Sequence, residues 1–162
     1  MPPVERTPRS RAALLVEIAD VVLRVAREVE PRGPHGPSGV VPLNGSEAAV
    51  MRWVHRHPGG TPAQGATATR LQRSNFSVAM RSLEDKAMIV REPDPGDARS
   101  VRLYPTDLAL DSIARLHEFW AHTMSAALEA ETSAGAQPIE LDRLRTTLEV
   151  LCALDEGLPR AR

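Results

Sequence analysis

Apolar residues recur every three or four positions over most of the chain, which is the spacing of one face of an α-helix. The pattern predicts a helix over residues 10–30, a long helix from its N-cap Thr106 to about Ala130, and a final helix from Pro138 through Leu154. Residues 31–42 interrupt the pattern with prolines and glycines, so they are predicted to form an extended linker. The chain is therefore expected to be mainly helical.

The three outer helices carry wide apolar stripes. Such stripes suit a subunit interface, although a seam of this kind can equally pack within one chain. The stripes consist of Leu14, Leu15, Ile18, Val21, Val22, Val25 and Val29 in the first helix, of Leu110, Ile113, Leu116, Trp120, Met124 and Leu128 in the long helix, and of Leu141, Leu144, Leu148, Leu151 and Leu154 in the last.

The middle of the chain contains shorter helices with clear start signals. Asn44-Gly-Ser-Glu47 has the capping-box pattern and predicts a helix to about His57. Val50, Met51 and Val54 are expected to face inward, and Trp53 is expected near the edge of the lobe that the short helices form. Thr61-Pro62-Ala63-Gln64 predicts a second helix that ends near Arg70 and Leu71. Ser74 then offers an N-cap for a third helix over residues 75–86, whose buried stripe is Phe76, Met80 and Leu83.

Two short strands follow the helix pair. Residues 88–91 and 100–104 are rich in β-branched residues, and the segment between them, residues 92–99, is polar and rich in turn formers. A close helix pair followed by a β-ribbon is typical of a winged helix-turn-helix. We therefore predict a mainly α fold with a small β-hairpin wing, in which a winged helix-turn-helix core is flanked by N- and C-terminal dimerisation helices.

The outward face of the third short helix has the chemistry of a DNA-reading surface. Short polar donors and acceptors and arginines suit base edges and phosphates in a major groove, although the same residues also occur on ordinary solvated helices. The wing favours the DNA interpretation, because an arginine near a hairpin tip can enter the minor groove, where the potential is most negative. The candidate DNA-binding residues are Arg73, Ser74, Asn75, Ser77 and Arg81 on the helix and Arg91, Arg99 and Arg102 on the wing.

The charge distribution agrees with this interpretation better than the net charge of −1 does. Residues 1–60 and 61–105 each carry a net charge of +2, whereas residues 106–162 carry −5. We expect weak nonspecific binding and strong reliance on individually placed contacts. Asp94 and Asp97 in the wing would repel phosphate, so we expect them to hold the arginines and the turn in shape.

The run from Leu43 through Ala109 resembles the MarR family of bacterial transcriptional regulators. The order of several short pieces carries the resemblance. They are Leu43-x3-Glu47, Arg73-Ser-Asn-x-Ser77, Leu83-Glu-x-Lys86, Ile89-Val-Arg91, Asp94-Pro-x-Asp97-x-Arg99 and Leu103-x-x-Thr106.

The resemblance implies an obligate homodimer that binds double-stranded DNA at a palindromic operator. It further implies that Arg99 enters the minor groove, that residues 73–77 and Arg81 contact the operator, and that the protein acts as a repressor. In the family pattern a large aliphatic residue and then alanine stand at Gly65-Ala66, an arginine at Ala98, and glycines at Ala87 and Ala109. Glycine inside a helix costs about 1 kcal/mol relative to alanine, and we expect Gly65 also to lack a core contact.

The family layout also implies a cleft for a small-molecule effector. The side chains expected there are Trp53, His55, Arg115, His117 and Trp120, although both tryptophans can equally fill gaps in the core. The predicted organisation is an N-terminal arm (residues 1–9 flexible), dimerisation helix and linker over residues 1–42, a DNA-binding domain over 43–105, and dimerisation helices over 106–162.

The sequence contains few signs of a metal site, a redox-active thiol or an enzyme active site. The spacings of His55 with His57 and of His117 with His122 do not suit one metal ion, and the single cysteine, Cys152, is expected to be a buried thiol among leucines. No motif of an enzyme, no cofactor and no membrane span is predicted, and a cytoplasmic location is expected. Two alternative functions are a winged-helix module that binds another protein instead of DNA and a small metal- or thiol-based sensor.

Overall fold

The computed structural model describes residues 10–30 and 37–158, and the side chains of residues 97–99 lie outside that description. The predicted N-terminal arm and the first half of the linker are therefore not described. The elements run in the order α1 (Arg11–Val29), α2 (Gly45–Arg56), α3 (Pro62–Thr69), α4 (Arg73–Asp85), β1 (Ile89–Asp94), β2 (Asp97–Pro105), α5 (Asp107–Ser133) and α6 (Leu141–Gly157). The chain divides into two compact units, residues 1–119 and 120–162.

The core of the first unit lies between the short helices and the hairpin. The predicted inward residues of α2 and the predicted stripe of α4 are confirmed, and Trp53 packs into this core with 9% of its surface exposed. Apolar burial of this kind supplies most of the stability of a small lobe. The buried apolar residues are Val50, Met51, Trp53, Val54, Phe76, Ala79, Met80, Leu83, Met88, Ile89, Leu103 and Ala109.

The capping predictions for α2 and α3 are confirmed. The Asn44 side chain accepts from the backbone N–H of Glu47 at 3.0 Å, and the Glu47 carboxylate accepts from the N–H of Asn44 at 2.8 Å. Thr61 and Gln64 form the same reciprocal pair at the start of α3. Because each box satisfies two otherwise unpaired N–H groups, local sequence fixes where both helices begin.

Two predicted helix starts are wrong. Helix α4 begins at Arg73 with Gln72 as its N-cap, so Ser74 lies within the first turn. The N–H of Phe76 donates to the carbonyl of Gln72 at 2.9 Å, which shows that the helical bonding reaches two residues further back. Helix α6 begins at Leu141 after the N-cap Glu140, because residues 136–140, including Pro138, are not helical.

The wing strands are longer than predicted. They pair antiparallel from Ile89 opposite Pro105 to Asp94 opposite Asp97, so most of the predicted loop over residues 92–99 is strand and only Pro95-Gly96 form the turn. Pro93 is tolerated in this ribbon because β1 is an edge strand that pairs only with β2 in this sheet. The backbone of Gly60 also forms a bridge with Leu103, which ties the ribbon to the segment before α3.

Gly65 does not leave the gap that the sequence suggested. A Cβ atom there would lie 2.5 Å from Cζ of Phe76 and 2.9 Å from Cε3 of Trp53. The aromatic rings meet edge to face with centroids 6.5 Å apart and occupy the space that an aliphatic side chain would fill. The expectation that Gly65 lacks a core contact is therefore wrong, since its backbone is itself buried against the two rings.

Helix α4 ends in a Schellman motif with alanine in the position usually held by glycine. The N–H of Ala87 donates to the carbonyl of Glu84 and the N–H of Met88 to that of Leu83, each at 2.8 Å. Ala87 has a φ of 55°, a left-handed conformation that disfavours a side chain. Its carbonyl accepts a hydrogen bond from the hydroxyl of Thr106 at 2.6 Å, and that hydroxyl accepts from the N–H of Ala109 at 3.1 Å, which confirms Thr106 as a cap.

The apolar stripes of α1 and α6 are not covered within their units. Neither helix has a buried residue, and side chains such as Leu14, Val21, Leu141 and Leu148 are between 44% and 62% exposed. Cys152 is also exposed, so the expected buried thiol is wrong in this structure. Among the described residues, no helix is long and apolar enough to cross a membrane.

Candidate nucleic-acid interface

The outward face of α4 presents a compact set of polar groups. Arg73, Ser74, Asn75 and Arg81 are exposed, as their predicted role requires. Ser77 differs, because it is half-buried and its hydroxyl donates to the carbonyl of Arg73 at 2.8 Å. The side chains that are accessible for base or phosphate contacts on this face are therefore two arginines, a serine and an asparagine.

The turn before α4 brings a further arginine to the surface. Arg70 caps α3 in the left-handed conformation, with φ 55° and ψ 21°, and its side chain is exposed. The capping N–H of Arg70 donates to the carbonyl of Thr67 at 3.3 Å, which closes α3 tightly. Sequence reasoning placed the end of the helix here and did not consider Arg70 as a contact residue.

A buried carboxylate fixes α4 against α2. Glu47 is only 3% exposed, and its two oxygens accept from the Ser82 hydroxyl and from the Lys86 ammonium, each at 2.6 Å, in addition to the N–H of Asn44. Lys86 also donates to the carbonyl of Pro42 at 2.9 Å. The Glu47 carboxylate therefore joins the start of α2 to the last turns of α4, and Lys86 extends the network to the end of the linker.

The electrostatics of Glu47 favour the charged form. Burial acts to raise the pKa of the carboxyl, but the hydrogen bonds from Lys86, Ser82 and the Asn44 backbone outweigh burial and lower its pKa below the ordinary value. The site is a satisfied ion pair, because each carboxylate oxygen has a donor. Sequence analysis assigned Glu47 to the capping box and to one family-like piece, but not to a contact with α4. The available signal for that contact was a charged residue on the inward face of α2.

The wing holds the guanidinium of Arg102 in place, although 41% of its side-chain surface is exposed. Its Nε lies 3.0 Å from Oδ2 of Asp94, and its two Nη atoms donate to the carbonyl of Gly59 and to Oδ1 of Asp94, each at 3.3 Å. Asp94 also accepts from the N–H of Gly96 at 2.8 Å. The latter bond and the Arg102 contacts lower the pKa of the Asp94 carboxyl. The expectation that Asp94 holds an arginine and the turn in shape is confirmed.

Arg91 is held in a similar way at the base of the wing. Its guanidinium forms an ion pair with the carboxylate of Glu84 on α4, and 33% of its side-chain surface is exposed. Arg91 and Arg102 therefore tie β1 to α4 and β2 to the segment before α3. The side chains of Arg99 and Asp97 lie outside the described residues.

The first unit contains four of the five predicted effector residues, Trp53, His55, Arg115 and His117. Trp53 stacks on His57 with ring centroids 5.4 Å apart and is part of the core. His55 and His117 do approach each other, with ring centroids 6.5 Å apart, and the buried Nδ1 of His55 has no hydrogen-bond partner among the described residues.

The other two predicted effector residues have different surroundings. Arg115 is exposed, and a Cβ atom added at Gly39 would lie 3.1 Å from its Cδ and 3.2 Å from its Nε. Trp120 is half-buried in the second unit. No group of three or more metal-ligating side chains is present in the described part of the chain.

The fold and this surface define a winged helix-turn-helix protein, and comparisons with known proteins agree. Residues 41–100 match the family model described as MarR family. Among solved structures, a crystal structure of MarR is 20% identical, with a TM-score of 0.62 and coverage of 90% of this chain and 98% of that one. No curated protein matches the chain significantly.

Two further solved structures are similar to the chain over most of both lengths. Streptococcus pneumoniae FabT, solved in complex with DNA, is 22% identical with a TM-score of 0.60 and covers 92% of this chain and 95% of its own. PcaV from Streptomyces coelicolor, solved with its natural ligand, is 16% identical with a TM-score of 0.61 and covers 94% and 99%. The resemblance to the MarR family of winged helix-turn-helix regulators is confirmed.

Proposed function

We propose that this protein is a sequence-specific, DNA-binding transcription regulator that acts as a homodimer. The observation that carries the proposal is the exposed polar face of α4, where Arg73, Ser74, Asn75 and Arg81 point away from the core. These side chains have the donors and acceptors that a major groove recognises. The helix that carries them is fixed at its far end by the buried Glu47 network, which gives the face a defined position.

The wing is proposed to supply the minor-groove contact through Arg99. Both strands of the hairpin are held by side-chain contacts. Arg91 of β1 pairs with Glu84, and Arg102 of β2 pairs with Asp94 and donates to the carbonyl of Gly59. A fastened hairpin loses little conformational entropy when it meets the groove. On this view Arg91 and Arg102 position the wing, and the phosphate and groove contacts come from other arginines.

Dimerisation is proposed to occur through α1 and α6. Their leucine and valine stripes are exposed in the isolated chain, and contiguous exposed apolar surface of this kind marks an interaction site. A second copy of the chain is the expected occupant, since paired recognition helices would then reach successive turns of a palindromic operator. Replacement of Leu148, which is 62% exposed, offers a direct test of this contact.

Regulation is proposed to follow the occupancy of a small-molecule site beside α2 and α5, with His55 and His117 as its polar groups. A ligand that binds one spacing of the recognition helices better than another would shift the population of dimers toward that spacing. The protein would act as a repressor that releases its operator when the ligand is bound. Its place of action would be the cytoplasm.

The experiment is a fluorescence anisotropy titration of the protein with the DNA upstream of its own coding sequence, at several salt concentrations. The logarithm of the affinity should fall linearly with the logarithm of the salt concentration. Arg73→Ala should lower the affinity and reduce that slope by about 0.9 for each phosphate that the arginine neutralises. Arg143→Ala, on the exposed α6 and outside the lobe, is the matched control and should leave both quantities unchanged.

The same titration separates positioning arginines from contact arginines. Arg102→Ala should weaken binding without a change in the salt slope, because its guanidinium is engaged by Asp94 and Gly59. Asn75→Ala should cost about 1–3 kcal/mol and relax the preference for one base pair. Absence of any binding at low salt would refute the proposal and favour a module that recognises another protein.

A further inference from the structure

Helix α4, the proposed recognition helix, carries one apolar side chain where the rest of its outward face is polar. Val78 is 61% exposed, the most exposed large apolar side chain of the described lobe between residues 43 and 106. It is not part of the buried cluster, whose α4 members are Phe76, Ala79, Met80 and Leu83. A single exposed valine on a helix surface is common and does not by itself indicate a contact. The position of Val78 on the helix is therefore the evidence that matters.

Helical geometry places Val78 near the centre of the surface that faces away from the core. At about 100° per residue, Val78 lies roughly 200° around the helix from Phe76, nearly opposite the buried stripe. Ser74 is one turn before it, Arg81 is almost one turn after it, and both are exposed on the same side. If this face enters a major groove, the side chain in the middle of it meets the base edges and the flanking polar groups meet the bases and phosphates beside them.

An apolar side chain has one specific partner on a base edge in the major groove, which is the 5-methyl group of thymine. The donors and acceptors on those edges would be desolvated without compensation if they faced Val78. A branched valine at this point therefore favours a T·A pair both by an attractive contact and by the cost of the alternatives.

We propose that Val78 is a specificity-determining residue that reads a thymine 5-methyl group at the centre of each half-site, an inference that rests on the proposed DNA binding. Burial of one methyl group against an apolar surface changes affinity about fourfold. A dimer that makes the contact in both half-sites would therefore show a change of about 15-fold.

The test uses the upstream DNA fragment in two forms, one with thymine and one prepared with deoxyuridine in its place, which lacks only the 5-methyl groups. Wild type and Val78→Ala are titrated with both. Wild type should bind the deoxyuridine form about 15-fold more weakly, and Val78→Ala should bind both forms with nearly the same affinity. The substitution lies at an exposed helical position, so the thermal unfolding temperature of the protein should not fall.

Val16→Ala is the matched control, because Val16 is 70% exposed on α1 and points away from the apolar stripe of that helix. It should retain the wild-type preference for thymine. If Val78→Ala loses affinity for deoxyuridine DNA by the same factor as wild type, the methyl groups are read elsewhere and the inference is wrong. If wild type binds both forms equally, the inference is also wrong while DNA binding stands. If neither form is bound at low salt, the proposed function itself fails.

Discussion

Replacing Glu47 by glutamine tests whether the buried carboxylate fixes α4. The substitution keeps the size of the side chain and removes its charge, so that one oxygen that accepts from Lys86 or Ser82 becomes an amide donor. Loss of a buried hydrogen bond to a charged group costs about 1.5–3 kcal/mol. For a domain of this size, that corresponds to a midpoint of thermal unfolding about 3–12 °C lower.

The dependence on pH makes the test specific. The pKa of the folded Glu47 carboxyl is below its ordinary value of 4.5, so its contribution to stability is complete above that value and is lost as the pH falls through the folded-state pKa. Glutamine does not titrate. The difference in unfolding free energy between wild type and variant should therefore be constant from about pH 5 to 8 and shrink at lower pH.

The control is an exposed ion pair of the same chemistry. Asp20 pairs with Arg24 on the surface of α1, where the side chains are 65% and 61% exposed, so Asp20→Asn should change the unfolding free energy by less than about 1 kcal/mol. The assay is urea denaturation of each variant at neutral and acidic pH. If Glu47→Gln costs no more than Asp20→Asn, or if its cost grows at low pH, the account of Glu47 is wrong.

Three further predictions concern individual positions. Gly65→Ala should destabilise the lobe by about 1–3 kcal/mol in urea denaturation, because the new Cβ would lie 2.5 Å from Phe76 Cζ, and Phe76→Leu in the same chain should recover part of that loss. Ala87→Gly should raise the unfolding free energy by about 1 kcal/mol, because it relieves the positive φ of 55°; no gain would contradict the strain. If the proposed dimer forms through α6, Leu148→Glu should convert it to a monomer in size-exclusion chromatography with light scattering, and a variant that stays dimeric would exclude α6 from the interface.

The parts of the fold that sequence predicts well are those that local interactions determine. The capping boxes at Asn44 and Thr61 define helix starts through contacts three residues apart, and the apolar stripe of α4 needs only the helical repeat to be recognised. Thr106 was recognised as a cap for the same reason.

The parts that sequence predicts poorly depend on contacts between distant residues. The wing is longer than its turn-forming sequence suggests because Glu92 pairs with Arg102 and Pro93 with Val101 across the ribbon. Arg91 forms an ion pair with Glu84, and Arg102 forms one with Asp94. No local sequence pattern reveals these pairs, because their partners are several residues away along the chain. An exposed arginine and an ion-paired arginine look alike in sequence. The sequence therefore identifies candidate contact arginines on the wing but does not show which of them are engaged in ion pairs.

The two departures from the family pattern in the helix pair act on the lobe in different ways. At Gly65 the missing side chain is replaced by the rings of Phe76 and Trp53, so that the packing between α3 and α4 is preserved by a change of partner. At Ala87 nothing replaces the glycine, and the helix end keeps its two Schellman bonds at the expense of backbone strain. Both features act on α4, because the ring contacts pack its first turn against α3 and the Schellman bonds close its C-terminal end. The outward face of α4 takes part in neither set of contacts, so residues such as Asn75 and Val78 can change there while the fold stays the same.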